Sequence, residues 1–186
     1  CDTKKLLPRN IPYSRYDIRP ALTLTATGTF EPLEDPKLRW PREWKTAFEG
    51  YKLFTPEDGA VYPTHTVESQ EYTVLTNPSQ TLRPSDSINI TENTFSVVDF
   101  GTNLTGFVKL CVTCDEEVDL YLAFDELSTE SGDVNTRRYS CGNVIHFQLQ
   151  AGSYDLETIE PYTLKFLKAL SLKGNATVSH IAIREY

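Results

Sequence analysis

A loop in the second half of the chain is crowded with acidic and amide side chains. This acidic loop, residues 125–135, contains Asp125, Glu126, Glu130, Asp133 and Asn135. Carboxylate and carbonyl oxygens are the ligands that a hard cation such as Ca²⁺ prefers. Asp125, Glu126 and Asp133 are therefore candidate calcium ligands. Their spacing is not that of an EF-hand, and an ordinary acidic loop is the alternative.

The adjacent carboxylic acids Asp125 and Glu126 could in principle act as an acid–base pair. Hydrolysis of a glycosidic bond needs two carboxyl groups about 5–10 Å apart. Adjacent residues on a strand point to opposite faces, so we interpret the pair as a solvated strand end and predict no catalytic residue. A histidine-based triad is not predicted either, because the pattern places no Ser, Cys or Asp beside a histidine and His146 alternates outward.

Aromatic residues in a Pro-rich stretch offer a second kind of chemistry. Trp40, Trp44 and Tyr51 lie close together there, with Arg39 and Arg42 beside them. An aromatic face can stack on the apolar side of a pyranose while polar neighbours bind its hydroxyls. Trp40, Trp44 and Tyr51 are therefore candidate carbohydrate-binding residues. The alternative is that they cap the core or dock on a neighbouring domain.

The cysteines do not support a metal or redox site. Cys111 and Cys114 have the spacing of such a pair, but only the isolated Cys141 follows. They also end a strand-like run, whereas redox cysteines open a helix, where the dipole lowers the pKa of the thiol. The sequence predicts structural thiols or one disulfide that includes Cys141.

Charge and composition restrict the partners. The chain has 186 residues, with 26 acidic and 18 basic groups, and a net charge of −8. This charge disfavours nucleic acid, whose phosphates need clustered Lys and Arg. A membrane-spanning helix is not predicted, because no run of about 18 apolar residues occurs. Since the chain starts at Cys1 and contains no Met, we expect a mature or excised piece of a longer protein.

The periodicity of apolar residues predicts the elements that position these groups. Residues 1–20 predict an extended linker or strap, and residues 31–66 a long irregular Pro-rich excursion with room for one short helical turn. Strands are predicted at 21–30, 72–75, 94–100, 104–113, 118–124, 144–149, 166–172 and 178–183. In the strand 118–124, Asp119 and Tyr121 are expected on a solvated face. The pattern predicts one all-β domain over residues 21–186, an antiparallel two-sheet sandwich or jelly roll of the concanavalin-like kind.

Four segments of the second half form an ordered series of motifs. They are Asp99-Phe-Gly-Thr-Asn103 followed by Gly106, Leu120–Leu127 with its acidic pair, Asn135-Thr-Arg137, and Glu160–Leu170. In the last segment Lys165-Phe-Leu-Lys168 stands where Gly-Phe-Arg-Tyr is expected, so no role of that arginine is carried over. Over residues 96–186 the series resembles a β-sandwich domain of bacterial α-L-rhamnosidases of glycoside hydrolase family 78.

The resemblance implies an activity for a parent protein rather than for this chain. Such hydrolases carry their catalytic carboxylates in a separate (α/α)6 barrel and cleave terminal rhamnosides. The chain is thus expected to be a non-catalytic accessory domain of a secreted enzyme, extracellular or periplasmic, whose partners are that barrel and a rhamnose-containing glycan. Asn135 and Arg137 become further candidate sugar contacts, and calcium is the only candidate cofactor. The alternative is an independent carbohydrate-binding or cell-surface adhesion module.

Overall fold

The computed structural model describes residues 16–34, 63–136, 138 and 143–186. Its elements, in chain order, are β1 (Ile18–Pro20), β2 (Thr23–Pro32), α1 (Pro63–Glu68), β3 (Gln70–Thr76), β4 (Gln80–Thr81), β5 (Ser87–Ile90), β6 (Thr94–Cys114), β7 (Val118–Asp125), β8 (Val144–Leu149), β9 (Gly152–Glu157), β10 (Tyr162–Lys173) and β11 (Ala176–Glu185). None of the helices in these ranges is long and apolar enough to cross a membrane.

The eleven strands of the described residues form one antiparallel hydrogen-bonded network. Its central path runs β1-β11-β6-β10-β7-β8, and the other strands pair beside it. The long strand β6 has different partners along its length: residues 94–99 pair with β2, 104–106 with β10 and 106–113 with β11. One strand thereby links two layers of sheet.

The first hydrophobic core lies between those layers. Strand β7 follows β6 but pairs with β10 and β8, so it faces β6 without being hydrogen-bonded to it. Alternate residues of both strands, such as Leu110 of β6 and Leu120 and Leu122 of β7, are buried in the same cluster. Burial of these side chains is the main force that holds the layers together. The predicted all-β antiparallel sandwich is confirmed.

The other face of β7 is also buried, and the prediction that it is solvated is wrong. Tyr121 and Ala123 belong to a second core together with Val67 of α1 and Phe95 of β6. The hydroxyl of Tyr121 is hydrogen-bonded to the side chain of Thr66 in α1. Helix α1 covers this face of β7. Because the helix is remote from β7 in sequence, the alternation of residues within β7 does not predict the contact.

Other elements differ from the sequence prediction in whole or in part. Residues 18–20 of the expected linker form β1, in which Ile18 pairs with Arg184. Strands β5 and β9 were not predicted, because each offers only two apolar residues between polar ones. Helix α1 overlaps the end of the predicted irregular excursion and agrees with the short helical turn expected there, whereas β2 extends into its start. Residues 35–62 of the excursion lie outside the described residues.

Candidate functional site

An open cleft of about 570 Å³ lies beside the point where β6 passes from one layer to the other. It is lined by Gly101, Thr102, Asn103, Glu126, Leu127, Ser128, Arg138, Lys165 and Phe166. A volume of this size falls within the range of roughly 300–1,000 Å³ that small-molecule sites occupy. The lining comes from the first, second and fourth of the motif segments. Arg138, which directly follows the third segment, completes it. We call it the motif cleft.

A tight turn within β6 places Asn103 in the cleft. Gly101 has a φ of 80°, a left-handed conformation that glycine adopts without steric cost. Its N–H donates to Oδ1 of Asp99 at 2.6 Å. Asn103 then reaches the second segment, because its Nδ2 donates to Oε2 of Glu126 at 3.2 Å. The Asp-Phe-Gly-x-Asn motif thus joins β6 to the acidic loop.

Asp125 lies beneath the cleft in a buried ion pair. The residue is 1% exposed, and Nε of Arg138 donates to its Oδ2 at 2.7 Å. Its Oδ1 accepts from the backbone N–H of Glu126 at 2.7 Å. The interpretation of Asp125 as part of a solvated strand end is therefore wrong, since a basic partner from farther along the chain covers it.

Strand β10 contributes a basic and an apolar residue to the lining. Nζ of Lys165 lies 4.0 Å from Oδ2 of Asp99 and 5.0 Å from the centre of the Phe166 ring. Phe166 is 8% exposed, whereas Leu127 of the acidic loop is 52% exposed. The cleft therefore offers hydrogen-bonding groups of both signs next to an apolar surface.

A second buried ion pair holds the far end of the acidic loop. Nζ of Lys168 in β10 lies 2.8 Å from both carboxylate oxygens of Asp133. It also lies 3.3 Å from the ring centre of Tyr72 and 4.2 Å from that of Phe95. Burial lowers the pKa of Lys168 to about 8, although the charge of Asp133 acts in the opposite direction.

The three candidate calcium ligands do not meet in one place. Asp125 is bound by Arg138, Glu126 by Asn103, and Asp133 by Lys168. Within the described ranges, no group of three or more His, Cys, Asp or Glu side chains is arranged to hold a metal ion. Calcium binding stays a prediction.

The other predicted residues fall partly outside the described residues. Trp40, Trp44, Tyr51 and Arg137 lie outside them, while Asn135 is half-buried in the acidic loop. Cys141 also lies outside. Cys111 and Cys114 have free thiols, and Sγ of Cys114 donates to the carbonyl oxygen of Gln150 at 3.2 Å. These two cysteines agree with the structural role predicted for them.

The partners of His146 were not predicted. Its Nε2 lies 3.0 Å from Oδ1 of Asp119, and its ring stacks on Tyr121 at 4.2 Å. The expectation that no Asp lies beside His146 is wrong, although its side chain does alternate away from the first core and is 28% exposed. In the strand register His146 lies opposite Tyr121, so the pairing of β7 with β8 was the missing information. The contacts of His146 with Asp119 and Tyr121 hold β8 against β7. Burial of Tyr121 raises the pKa of its hydroxyl.

Comparison with known proteins gives a likeness in fold. No protein-family model and no curated protein matches the chain. Among solved structures it is similar to a GH78 family rhamnosidase of Bacillus sp. GL1, with 15% identity and a TM-score of 0.53, over 67% of this chain and 14% of that chain. The chain shares the fold of one part of that enzyme.

Two further rhamnosidases match less well. The enzyme from Klebsiella oxytoca, solved with rhamnose bound, is 14% identical with a TM-score of 0.42, over 90% of this chain and 30% of that chain. The α-L-rhamnosidase from Dictyoglumus thermophilum is 16% identical with a TM-score of 0.39, over 60% and 15%. The chain thus spans less than a third of the length of each of these three enzymes.

Proposed function

We propose that this chain is a non-catalytic β-sandwich domain of a secreted, α-L-rhamnosidase-like glycoside hydrolase of family 78. One observation carries the proposal: Asp99–Asn103 and Asp125–Leu127, which belong to separate segments that resemble motifs of that family, line or underlie one cleft. Lys165 and Phe166 of the fourth segment, at the place where it departs from the family pattern, complete the lining. The shared fold with part of the Bacillus enzyme supports it.

The arrangement of the carboxylates supports the non-catalytic part. Glycoside hydrolysis uses two carboxyl groups that both reach the sugar. Among the described lining residues of the motif cleft, Glu126 is the one carboxylate. Asp125 is 1% exposed and bound by Arg138, so it does not reach a substrate. The chemistry of the parent protein therefore belongs to another domain, the (α/α)6 barrel, which this sandwich supports outside the cell or in the periplasm.

The first test is the reading frame that encodes this chain. We expect it to continue into several hundred residues with helical periodicity and paired acidic residues. A frame that encodes no such region on either side of this chain would contradict membership of a hydrolase. It would favour the independent carbohydrate-binding or adhesion module instead.

The second test is an activity assay with an aryl α-L-rhamnoside. This chain alone is expected to give no turnover, whereas the longer gene product hydrolyses the substrate. Hydrolysis by the chain alone that Glu126→Gln abolishes would overturn the non-catalytic assignment.

A further inference from the structure

Exposed apolar side chains are concentrated at one end of the layer that contains β6 and β11. Single exposed apolar residues are ordinary on a protein surface, whereas a contiguous group of them marks a contact surface. We propose that this group is the surface through which the sandwich docks on the neighbouring domain of its parent chain. The inference rests on the proposed function, which supplies that domain, and adds the surface that receives it. We call the group the aromatic patch: Tyr16, Ile18, Phe107, Arg184 and Tyr186.

The pairing of three strands forms the centre of the patch. Ile18 of β1 lies opposite Arg184 of β11, which lies opposite Phe107 of β6. Directly paired residues share one face of an antiparallel sheet. Ile183, the chain neighbour of Arg184, is 0% exposed in the first core, so the row of three side chains points to the opposite face. Ile18 is 54% exposed there.

Ring contacts hold the patch in one arrangement. The ring centre of Tyr186 lies 6.1 Å from that of Tyr16 and 6.2 Å from that of Phe107, both in edge-to-face geometry. The guanidinium carbon of Arg184 lies 4.5 Å from the ring centre of Phe107 and 5.6 Å from that of Tyr16. Side chains that are already ordered lose little entropy on association, and tyrosine and arginine are the residue types that dominate the affinity of protein interfaces.

The charges of the patch indicate the chemistry of its partner. Nε of Arg184 donates to Oε1 of Glu157 at 2.9 Å, and Nζ of Lys109 lies 3.1 Å from Oε2 of the same carboxylate. The centre therefore needs no acidic partner. Three more carboxylates are exposed on the flanking segments and make the surroundings acidic: Asp17, Asp155 and Glu160. The partner surface is expected to be apolar at its centre and to carry Lys or Arg at its rim.

The position of the patch favours a domain of the same chain over a separate partner. Tyr16 and Tyr186, the first and last described residues, are in contact with each other. Polypeptide that continues from either residue therefore leaves the sandwich beside the patch. A domain on such a connection meets the patch at a high effective concentration, so that a small interface suffices to keep it docked.

The test is hydroxyl-radical footprinting of this chain alone and of the longer gene product. In this chain alone, Ile18 and Tyr186 should be oxidised as exposed side chains. In the longer product, the oxidation of Ile18 should fall to the level of the buried Ile183, whereas Leu75, which is 62% exposed elsewhere on the sandwich, should keep its rate. Unchanged oxidation of Ile18 and Phe107 in the longer product would overturn the docking surface.

The same experiment reveals other occupants of the patch. Protection of Ile18 in this chain alone would overturn the assignment to a neighbouring domain. If that protection disappears on dilution, a second copy of the chain covers the patch. If it persists, residues 1–15 of the chain itself cover it.

A matched pair of variants measures the coupling between the domains. Ile18→Ser should barely move the urea midpoint of this chain alone, because the side chain is exposed there. In the longer product it should lower the midpoint of the sandwich more than Leu75→Ser does, because it then removes a buried apolar contact. Equal effects of the two variants in the longer product would contradict docking at the patch.

The docking surface and the proposed function can fail separately. A longer product that hydrolyses an aryl α-L-rhamnoside while the patch stays exposed would overturn the docking surface and leave the accessory role. A covered patch in a longer product without that activity would support the docking surface and overturn the hydrolase assignment. A reading frame that encodes no domain on either side of this chain would overturn both.

Discussion

A lysine buried between two aromatic rings determines how the acidic loop is held. The side chain of Lys168 is 1% exposed, so its ammonium group has lost its water. The carboxylate of Asp133 and the ring faces of Tyr72 and Phe95 take the place of that water. Such a pair stabilises the fold only while both partners are present.

Lys168→Met should therefore destabilise the protein strongly. It leaves the carboxylate of Asp133, 11% exposed, without its cation, and breaking a buried pair in this way costs about 3–5 kcal/mol of unfolding free energy. Urea unfolding monitored by circular dichroism measures the loss. Asp133→Asn added to Lys168→Met should recover part of the stability.

The matched control for that variant is Lys173→Met. Lys173 lies 2.8 Å from Glu117 in an exposed ion pair, so its removal should barely move the urea midpoint. If the two lysine variants unfold at the same urea concentration, the buried pair contributes no more than the exposed one.

The lowered pKa of Lys168 gives a stability that depends on pH. Below pH 8 both the folded and the unfolded chain hold the proton on this group. Between pH 8 and about 10 the folded chain has released it while the unfolded chain, with the ordinary value of 10.5, still binds it. The unfolding free energy should therefore rise with pH across this window.

The measurement compares the wild-type chain with Lys168→Met at pH 7.5 and 9.5. The stability difference between the two proteins should grow with pH, in favour of the wild type. Burial raises the pKa values of Tyr121 and Tyr162, and both tyrosines are shared by the two proteins, so they do not contribute to the difference. The same stability difference between the two proteins at both pH values would show that Lys168 keeps its proton over this range.

At the scale of elements, β6 explains why a glycine belongs to the first motif. Gly106 lies where β6 pairs with Tyr162 of β10 on one side and Glu185 of β11 on the other. A Cβ at this position would overlap the carbonyl oxygen of Arg184 and approach Cγ2 of Ile183. The backbones of β6 and β11 approach so closely at Gly106 that no side chain fits between them.

Gly106→Ala should therefore destabilise the sandwich by about 1–3 kcal/mol, the usual effect of overpacking. Thermal unfolding followed by circular dichroism checks the change. Thr113→Ser, at an exposed position of the same strand, is the control and should lie close to the wild type. An alanine variant as stable as that control would mean that β11 can move away from β6 without loss.

The sequence predicts elements better than it predicts contacts between them. Alternating apolar residues correctly predict both halves of β6 and most of β7. The pairing of β7 with β8, and hence His146 beside Asp119, depends on register between segments and leaves no periodic signal. The same holds for the cleft: its motif segments are visible in the sequence, but Arg138 beneath them was not singled out because only the fold brings it to Asp125.

For the molecule as a whole, two cores share the strands between them. Strand β10 contributes Leu167 to the first core and Leu170 to the second, and β7 likewise contributes to both. Because β7 and β10 are buried on both faces, they couple the two cores. If one core loses its packing, these strands are exposed on one face and the other core is destabilised as well. The described part of the chain should unfold as one cooperative unit.

Leu120→Ala in the first core and Leu170→Ala in the second test this coupling. Both leucines are 0% exposed, and each substitution should cost about 2–5 kcal/mol. Far-ultraviolet circular dichroism and tyrosine fluorescence should report the same shifted urea midpoint for each variant. Two separate transitions in either variant would show that the cores are independent.

The course of β6 through both layers also affects how the protein folds. Val112 of β6 pairs with Val178, and Ile18 pairs with Arg184, so these ladders wait for β11, the last described strand. Contacts between segments so distant in sequence form only after the loop-closure entropy has been lost, and all-β domains of this kind fold in milliseconds to seconds. During synthesis on the ribosome, residues 106–113 of β6 therefore lack their β11 partner until that strand emerges, and apolar side chains of this segment such as Val112 are the ones most open to aggregation in that interval.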